Sequence, residues 1–451
     1  MLQHTISLLP RLAATAVVGL ALALAAAPAA ADGHVLSLDE ALRTAREQQP
    51  QLRAARAQTR AATARAGEAR SGYLPKVDAQ AQYQRATTNF LLSPMMVHTP
   101  LTKGYHANNQ LGLDDTVNYY VFGVTATQLI YDFGRVPALM AQGDAGVDAS
   151  QADVRAAEQT IALNVRLAYY SALATKQLVQ VGDNAVQNQQ RHVDQVRRFV
   201  EQGQRTRFDL SSMELNLANA QLGLVRARDA LSTAKVRLAT AMGSDSSYDF
   251  DLVEPPDDTQ GLERSSAEEL ERIAIQRRPE LAKIAAQVRA QQSAGRAARA
   301  GYLPTLSAVG NVTAAKVEGF GAGYDWYVGV GLTWNLFGGM LTTRQSEEAD
   351  ASADAAVAQR ESLRQAIRAE IQEQLLAITD ARQRQDVSDR AVATATERLH
   401  QAEDRLQTGA GDALDLDDAQ VTLTNAEAQS VQARYDLAIA RARLRHAVGV
   451  E

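Results

Sequence analysis

Proline is missing from residues 138 to 254 and again from 305 to the C-terminus, two gaps that cover more than half of the 451 residues. A proline inside a helix costs ~3 kcal/mol, so such gaps permit helices of unusual length. The chain is rich in Ala, Leu, Arg and Gln, which are strong helix formers, and only 5% of it is aromatic. That is material for long helices and poor material for a thick core. The pattern predicts helices over about 138–202 and 209–242, parted near Gly203, and over about 340–407 and 413–447, parted at Gly409 to Gly411. At ~1.5 Å per residue the longer of each pair is ~100 Å long.

These two sets belong to a tandem duplication. Pro50-Gln51-Leu52 through Gly72-Tyr73-Leu74-Pro75 recurs as Pro279-Glu280-Leu281 through Gly301-Tyr302-Leu303-Pro304, at an offset of 229. Phe133-Gly134 and Phe337-Gly338 correspond at 204, and Gly203, Asp209, Leu217, Asn219 and Gly243 recur at 206 as Gly409, Asp415, Leu423, Asn425 and Gly449. The domain reading is a leader over 1–31, a first repeat over 32–243, an acidic linker over 244–264 and a second repeat over 265–451. Each repeat opens with a helix, about 38–72 and 265–300, in which Pro50 and Pro279 mark a bend or a fresh start. The two shorter helices of a repeat sum to nearly the length of its long one. Stacked end to end beside it, they make a rod of packed antiparallel helices.

Between Leu-Pro and Phe-Gly the sequence alternates at period two, as strands do. Val77, Ala79, Ala81 and Tyr83 oppose Lys76, Asp78, Gln80, Gln82 and Gln84. Trp326, Val328, Val330, Leu332, Trp334 and Leu336 oppose Tyr327, Gly329, Gly331, Thr333, Asn335 and Phe337. One apolar face and one polar or small face is the pattern of a membrane barrel wall, with Trp326, Trp334, Tyr131, Phe133 and Phe337 as wall and girdle aromatics. A soluble hairpin packed on helices also alternates, but these helices offer no wide apolar face to receive it. Each repeat supplies two strands around a tip, about 93–115 and 316–324. Four strands cannot close a barrel, which needs ~8 even when small, so oligomerisation is expected.

The N-terminus reads as an export leader: His4 and Arg11, an apolar run from Leu12 to Ala27, Pro28, and Ala29-Ala30-Ala31 before Asp32. The run is too short and too rich in alanine for a span of ~20 apolar residues. The absence of cysteine excludes disulfides, thiolate metal sites, a cysteine nucleophile and a lipid-bearing cysteine. A net charge of −6 without a basic cluster argues against nucleic acid. The seven histidines show no metal spacing. Gly319, Gly321 and Gly323 lack the strand, helix and Lys-Ser/Thr of a nucleotide loop, and there is no G-x-S-x-G elbow. No catalysis, cofactor or metal is expected.

The duplicated Pro-x-Leu and Gly-Tyr-Leu-Pro blocks, the Phe-Gly endings, and the pair Gly203…Phe208-Asp209-Leu210 and Gly409…Leu414-Asp415-Leu416 resemble the TolC-type outer-membrane efflux and secretion channel family, over nearly all of the mature length. The resemblance implies a mainly α fold, an α-barrel continuous with a β-barrel of 12 strands in a homotrimer, embedded in the outer membrane lipid and reaching through the periplasm. It implies a passive exit duct for efflux or type I secretion. Its partners would be a periplasmic adaptor and an inner-membrane ABC or RND transporter, and the inter-repeat linker would lie in an equatorial region. A periplasmic coiled-coil adaptor or scaffold without a pore is the alternative from another class.

By the same resemblance the two helix breaks form the periplasmic tip. Asp415 and Asp418 match the family's ring of gate aspartates, where converging carboxylates repel one another and attract cations. They also suit the acidic start of a helix, a reading that fits Asp412 and Asp417 well. Asp209 matches a residue of the gate-closing links. The family's gate arginine falls at Gly411, its tyrosine at Leu406, and a threonine at Phe208, so Arg205 and Arg207 are the candidate substitute partners. Adaptor docking is expected around Gly203-Gln204-Arg205 and Gly409-Ala410-Gly411.

Overall fold

The computed structural model describes residues 34–87, 116–244, 249–256, 261–318, 321–408 and 410–450. In chain order it comprises β1 (His34–Leu36), α1 (Leu38–Gln48), α2 (Pro50–Arg70), β2 (Lys76–Thr87), β3 (Thr116–Tyr131), α3 (Arg135–Glu201), α4 (Arg207–Met242) and β4 (Phe250–Leu252). The second half follows as α5 (Ala267–Arg277), α6 (Pro279–Ala300), β5 (Thr305–Val317), β6 (Gly321–Thr333), α7 (Leu341–Gln407) and α8 (Ala413–Val448). The expected leader, the expected first strand tip at 93–115 and Gly409 lie outside the described residues. No described helix is long and apolar enough to cross a membrane.

The repeat is matched helix for helix. The long helices α3 and α7 have 67 residues each, the tip helices α4 and α8 have 36 each, and α1 and α5 have 11 each. Pro50 and Pro279 begin new helices rather than bending old ones, because each takes the first helical position, where its missing N–H is no loss. The structure also reconciles the two offsets. Leu341 follows Arg135 at 341 − 135 = 206, while Phe337 follows Phe133 at 204, so the second strand-to-helix corner carries two extra residues.

That corner corrects the expected last strand. β6 stops at Thr333, and Trp334, Leu336 and Phe337 lie beyond the sheet. The reason is the partner: Thr333 pairs with Thr305, the first residue of β5, and Pro304 before it has no N–H to continue the ladder. The chain then turns through two left-handed residues, Gly339 and Met340, into α7. The first corner is tighter: Asp132 accepts hydrogen bonds from the N–H groups of Gly134 (3.1 Å) and Val136 (2.6 Å), capping α3 directly after β3.

The elements lie side by side in one layer. The sheet runs β2-β3-β5-β6, antiparallel throughout. Below it, α2 and α4 flank α3, α3 packs on α6 and α8, and these pack on α7. Helix rods and strands thus follow the same order, each strand adjoining the rod of its own rank. α2 and α4 meet end to end where the Gln49 side chain donates to the carbonyl of Ala241 (2.9 Å), and Gly243 abuts Gln49. α6 and α8 meet in the same way through Arg278 and Gly449.

Outside the layer, α1 packs on α3 and α4, and α5 on α7 and α8. β1 and β4 pair in parallel, tying the chain's start to the inter-repeat linker. Tyr169 anchors them: its buried hydroxyl lies 2.9 Å from the carbonyl of Leu36 and 2.6 Å from that of Val253. Burial, chiefly, pushes this phenol up to about 12, so it remains a donor. Cores are thin and local: one around Tyr169, Leu52 and Leu238, one around Ile367, Ile371 and Leu444, and two small ones near the tip.

Candidate functional site

The candidate residues fall in two regions of this architecture, the sheet and the far end of the helices. Pairing in the sheet places Ala81 opposite Phe122, Phe122 opposite Ala314, and Ala314 opposite Tyr324. One row further, Ala79, Val124, Val312 and Trp326 line up, so the apolar face runs unbroken across all four strands. No described residue covers it; Val328 is 77% exposed and Trp326 65%. The other face carries Gln80, Gln82 and Gln84 beside Thr125, Asn311, Thr313 and Tyr327. Asn311 donates to Thr125 (2.8 Å) and accepts from Thr313 (2.8 Å). A sheet that is apolar on one side and hydrogen-bonded polar on the other separates lipid from water.

The expected girdle residues gather at the helix end of this sheet. A bulge after Leu129 returns Tyr131 to the outer face opposite Leu306. Its ring lies 4.8 Å from that of Phe133, edge to face. Trp334 donates its indole N–H to the carbonyl of Tyr302 (3.0 Å), and Phe337 is exposed. Tyr73, Leu74, Tyr302 and Leu303, the repeated Tyr-Leu pairs, are exposed at the same level. Trp326 sits eight residues from Trp334, ~26 Å of extended chain, which at the ~40° tilt of barrel strands is ~20 Å of height, most of the ~25 Å apolar band of outer-membrane barrels.

At the opposite end the two breaks share a matching backbone hydrogen bond. Gly203, in the left-handed region at φ 73°, lets Gln204 N–H reach back to the carbonyl of Phe199 (2.8 Å). In the second turn Ala410 N–H reaches Arg405 (2.9 Å) in the matching bond. The helices that follow are capped differently. Thr206 and Asp209 form a reciprocal capping box (3.2 and 3.0 Å), whereas Asp412 alone caps α8, accepting from Ala413 N–H (2.6 Å).

The candidate gate residues divide accordingly. Arg205 crosses from the first turn to the second, donating to the carbonyl of Gly411 and lying 3.7 Å from the carboxylate of Asp412. Arg207 is exposed, and among the described residues no ion pair joins it to Asp415. Asp209 is half-buried and engaged in its cap. Asp415 and Asp418 are exposed, and no ion pair engages either among the described residues. Gly411 has no room for the expected arginine, since a Cβ there would lie 2.8 Å from that of Arg405. Leu406 is core, packed with Leu399 and Leu416. Phe208 is 81% exposed and Leu414, its repeat mate, is also exposed.

Asp417, expected to suit the acidic start of α8, falls just past its first turn. It faces α3, where it accepts from the side-chain amide of Gln189 (2.9 Å), and burial chiefly raises its pKa above the ordinary carboxylate value. Beside this pair lie His192 and Gln420. No motif marks them in the sequence; the one signal is that Gln189, His192, Val193 and Val196 fall at helical core spacing. No cluster of metal-ligating side chains occurs among the described residues.

Comparisons with known proteins agree with this geometry. The family model described as outer membrane efflux protein matches residues 41–244 and again 270–450, one match per repeat. Comparison of the sequence with curated proteins gives no match. Among solved structures, the outer-membrane channel OprN is similar with a TM-score of 0.75 at 20% identity, over 92% of this chain and 90% of that one. The outer membrane protein VceC from Vibrio cholerae gives 0.73 at 18% identity, over 92% and 96%. The open state of the MtrE outer membrane channel from Neisseria gonorrhoeae gives 0.72 at 20%, over 92% and 89%.

Proposed function

We propose, on the premise that this chain belongs to the outer membrane efflux protein family, that it assembles as a homotrimer and serves as the passive exit duct of a tripartite pump or type I secretion system. The observation that carries this is the single layer with two edges that are free among the described residues. β2 with the α2–α4 rod forms one edge, and β6 with α7 forms the other. A strand edge facing lipid leaves backbone groups unpaired, which the apolar interior of a bilayer does not tolerate. Joining β6 of one copy to β2 of the next satisfies both edges, and three copies give the 12 strands of a closed barrel. A pore-free scaffold would leave the apolar face of the sheet in water, so that reading is the weaker one.

In this reading residues 1–31 are removed on export, 32–243 and 265–451 are the repeats, and 244–264 joins them in the equatorial region. The Tyr-Leu pairs with Trp334 and Phe337 form the periplasmic girdle, and the paired turns form the entrance. A periplasmic adaptor docks around Gly203-Gln204-Arg205 and Gly409-Ala410-Gly411, and an inner-membrane ABC or RND transporter supplies the energy. Arg205 holds the two turns of one subunit together, while Asp415 and Asp418 provide converging negative charge at the entrance.

The test is the mass and conductance of the purified protein. A detergent-dependent trimer with single-channel conductance in a planar bilayer is expected, and Arg205→Ala should raise that conductance. A monodisperse monomer in detergent-free buffer overturns the proposal.

A further inference from the structure

Six polar or charged side chains are buried among the described residues, and three of them, Gln189 (4% exposed), His192 (4%) and Gln420 (2%), share one seam between α3 and α8. The other three are paired. Asp132 caps α3, Arg278 meets Glu280 and Glu370, and Ser293 donates to a carbonyl in its own helix. In the seam His192 meets the side chain of Gln420, which also donates to Thr424, and Oε1 of Gln189 keeps no partner among the described residues. Interiors rarely leave such atoms unpaired, because an unpaired buried polar atom loses its water and gains nothing. The neighbours on either side are apolar, Val193 and Val196 on α3 and Ala413 and Leu416 on α8. A seam built only to hold would continue that pattern.

The seam joins the first repeat to the second just behind the two turns. We propose that Gln189, His192, Asp417 and Gln420 form a proton-operated latch, in which neutral His192 holds α8 against α3 and its protonation lets the helices part. The proposal rests on the duct reading for its consequence, a wider entrance, though not for the motion itself. His192 faces Asp417 and Gln420 from α8 and Glu403 from α7, with Arg191 beside it on α3; Asp418 adjoins Asp417, and His400 lies 3.6 Å from Glu403. Desolvation outweighs the attraction of Glu403 and Asp417 and lowers the imidazole's pKa below its ordinary 6.5.

A histidine depressed in the closed seam steadies it above the ordinary value, and that hold fades as pH falls below it. Asp417 acts with the opposite sign. Burial raises its pKa, so protonation at still lower pH favours the closed seam again. The latch is therefore loosest at mildly acidic pH and tight on either side.

The experiment uses the full chain, which has no cysteine, with Arg198→Cys and Val421→Cys on the exposed faces of α3 and α8 carrying spin labels. Labelled chains diluted with unlabelled ones are read by pulsed electron spin resonance. We expect one distance at pH 7.5, a reversible longer population growing by at most about tenfold per pH unit towards pH 5.5, and partial recovery below that. In His192→Asn the growth disappears, and in Asp417→Asn the recovery disappears. His192→Gln serves if the first variant does not assemble. A wild-type distance indifferent to pH, or an unchanged profile in the His192 variants, overturns the latch. Conductance of the same samples reports on the duct separately: a pH-dependent distance without conductance removes the duct and leaves the latch.

Discussion

The two halves join their stacked helices at the same place with different chemistry. In the first, a neutral Gln49 donates to the last carbonyls of α4. In the second, Arg278 donates to the carbonyls of His446 and Ala447 (3.2 and 3.3 Å) and also meets Glu280 (3.2 Å) and Glu370 (3.1 Å). Both satisfy helix-end carbonyls that would otherwise be orphaned. The geometry is common to the repeats, whereas the charge belongs to one. Backbone constraints therefore survive in both copies, and the side chains that meet them differ.

The largest expected effect tests the shared part. Gly243 and Gly449 are both left-handed, at φ 71° and 75°, and both abut the opposing helix. A Cβ on Gly243 would come within 2.7 Å of the Gln49 backbone, and on Gly449 within 3.1 Å of Arg277. Gly243→Ala should destabilise by about 3 kcal/mol and Gly449→Ala by about 2, the strain of φ > 0 alone being ~1–2. Gly203→Ala, with the same strain and open space around it, should cost only about 1 kcal/mol. Thermal midpoints of the three variants in detergent would rank crowding against strain, and equal shifts would refute the crowding.

The next comparison breaks the symmetry. Arg278→Ala leaves Glu280 without its cation and Glu370 with His446 alone, and should cost about 3 kcal/mol, whereas Gln49→Ala loses a neutral hydrogen bond and should cost about 1. At the other end of the repeat, Asp132→Ala removes two bonds to the start of α3 and should cost about 2 kcal/mol. The second corner, which has no acid at the matching place, should be indifferent to Leu336→Ala in the same denaturation assay.

The smallest effect is in pH. His446 first, and Arg278 with it, holds the carboxyl of Glu370 below its ordinary 4.5. A depressed carboxylate adds stability that is complete above its unfolded value and is lost as pH falls through the folded one. Unfolding midpoints between pH 6 and 3 should therefore fall more steeply for wild type than for Glu370→Gln. Gln49 contributes no such slope, and identical slopes would remove Glu370 from the account.

Much of this molecule was legible in its sequence. Proline gaps and glycine stops located the long helices within a few residues, since nothing else breaks a helix so reliably. Period-two alternation separated the two faces of the sheet. Less legible was where that alternation ceases: Trp334 to Phe337 continue the pattern, but Pro304 denies them a partner. At the tip the sequence offered Arg205 and Arg207 equally. The path of the chain brings only Arg205 across to Gly411, and assigns Asp209 to a cap and Asp417 to the seam.

The sequence by itself determined local form: the duplication, the helix lengths and the amphipathic strands, each of which depends on propensity and short-range periodicity. The tertiary structure alone decided that rods and strands share one order in one layer, and which polar groups that layer buries. In rods this thin, burial depends on which neighbour lies against each side. Helical faces made largely of Ala and Gln carry too little hydrophobic contrast to announce it, so His192 and Arg278 became interior residues only when α8 settled against α3 and α6.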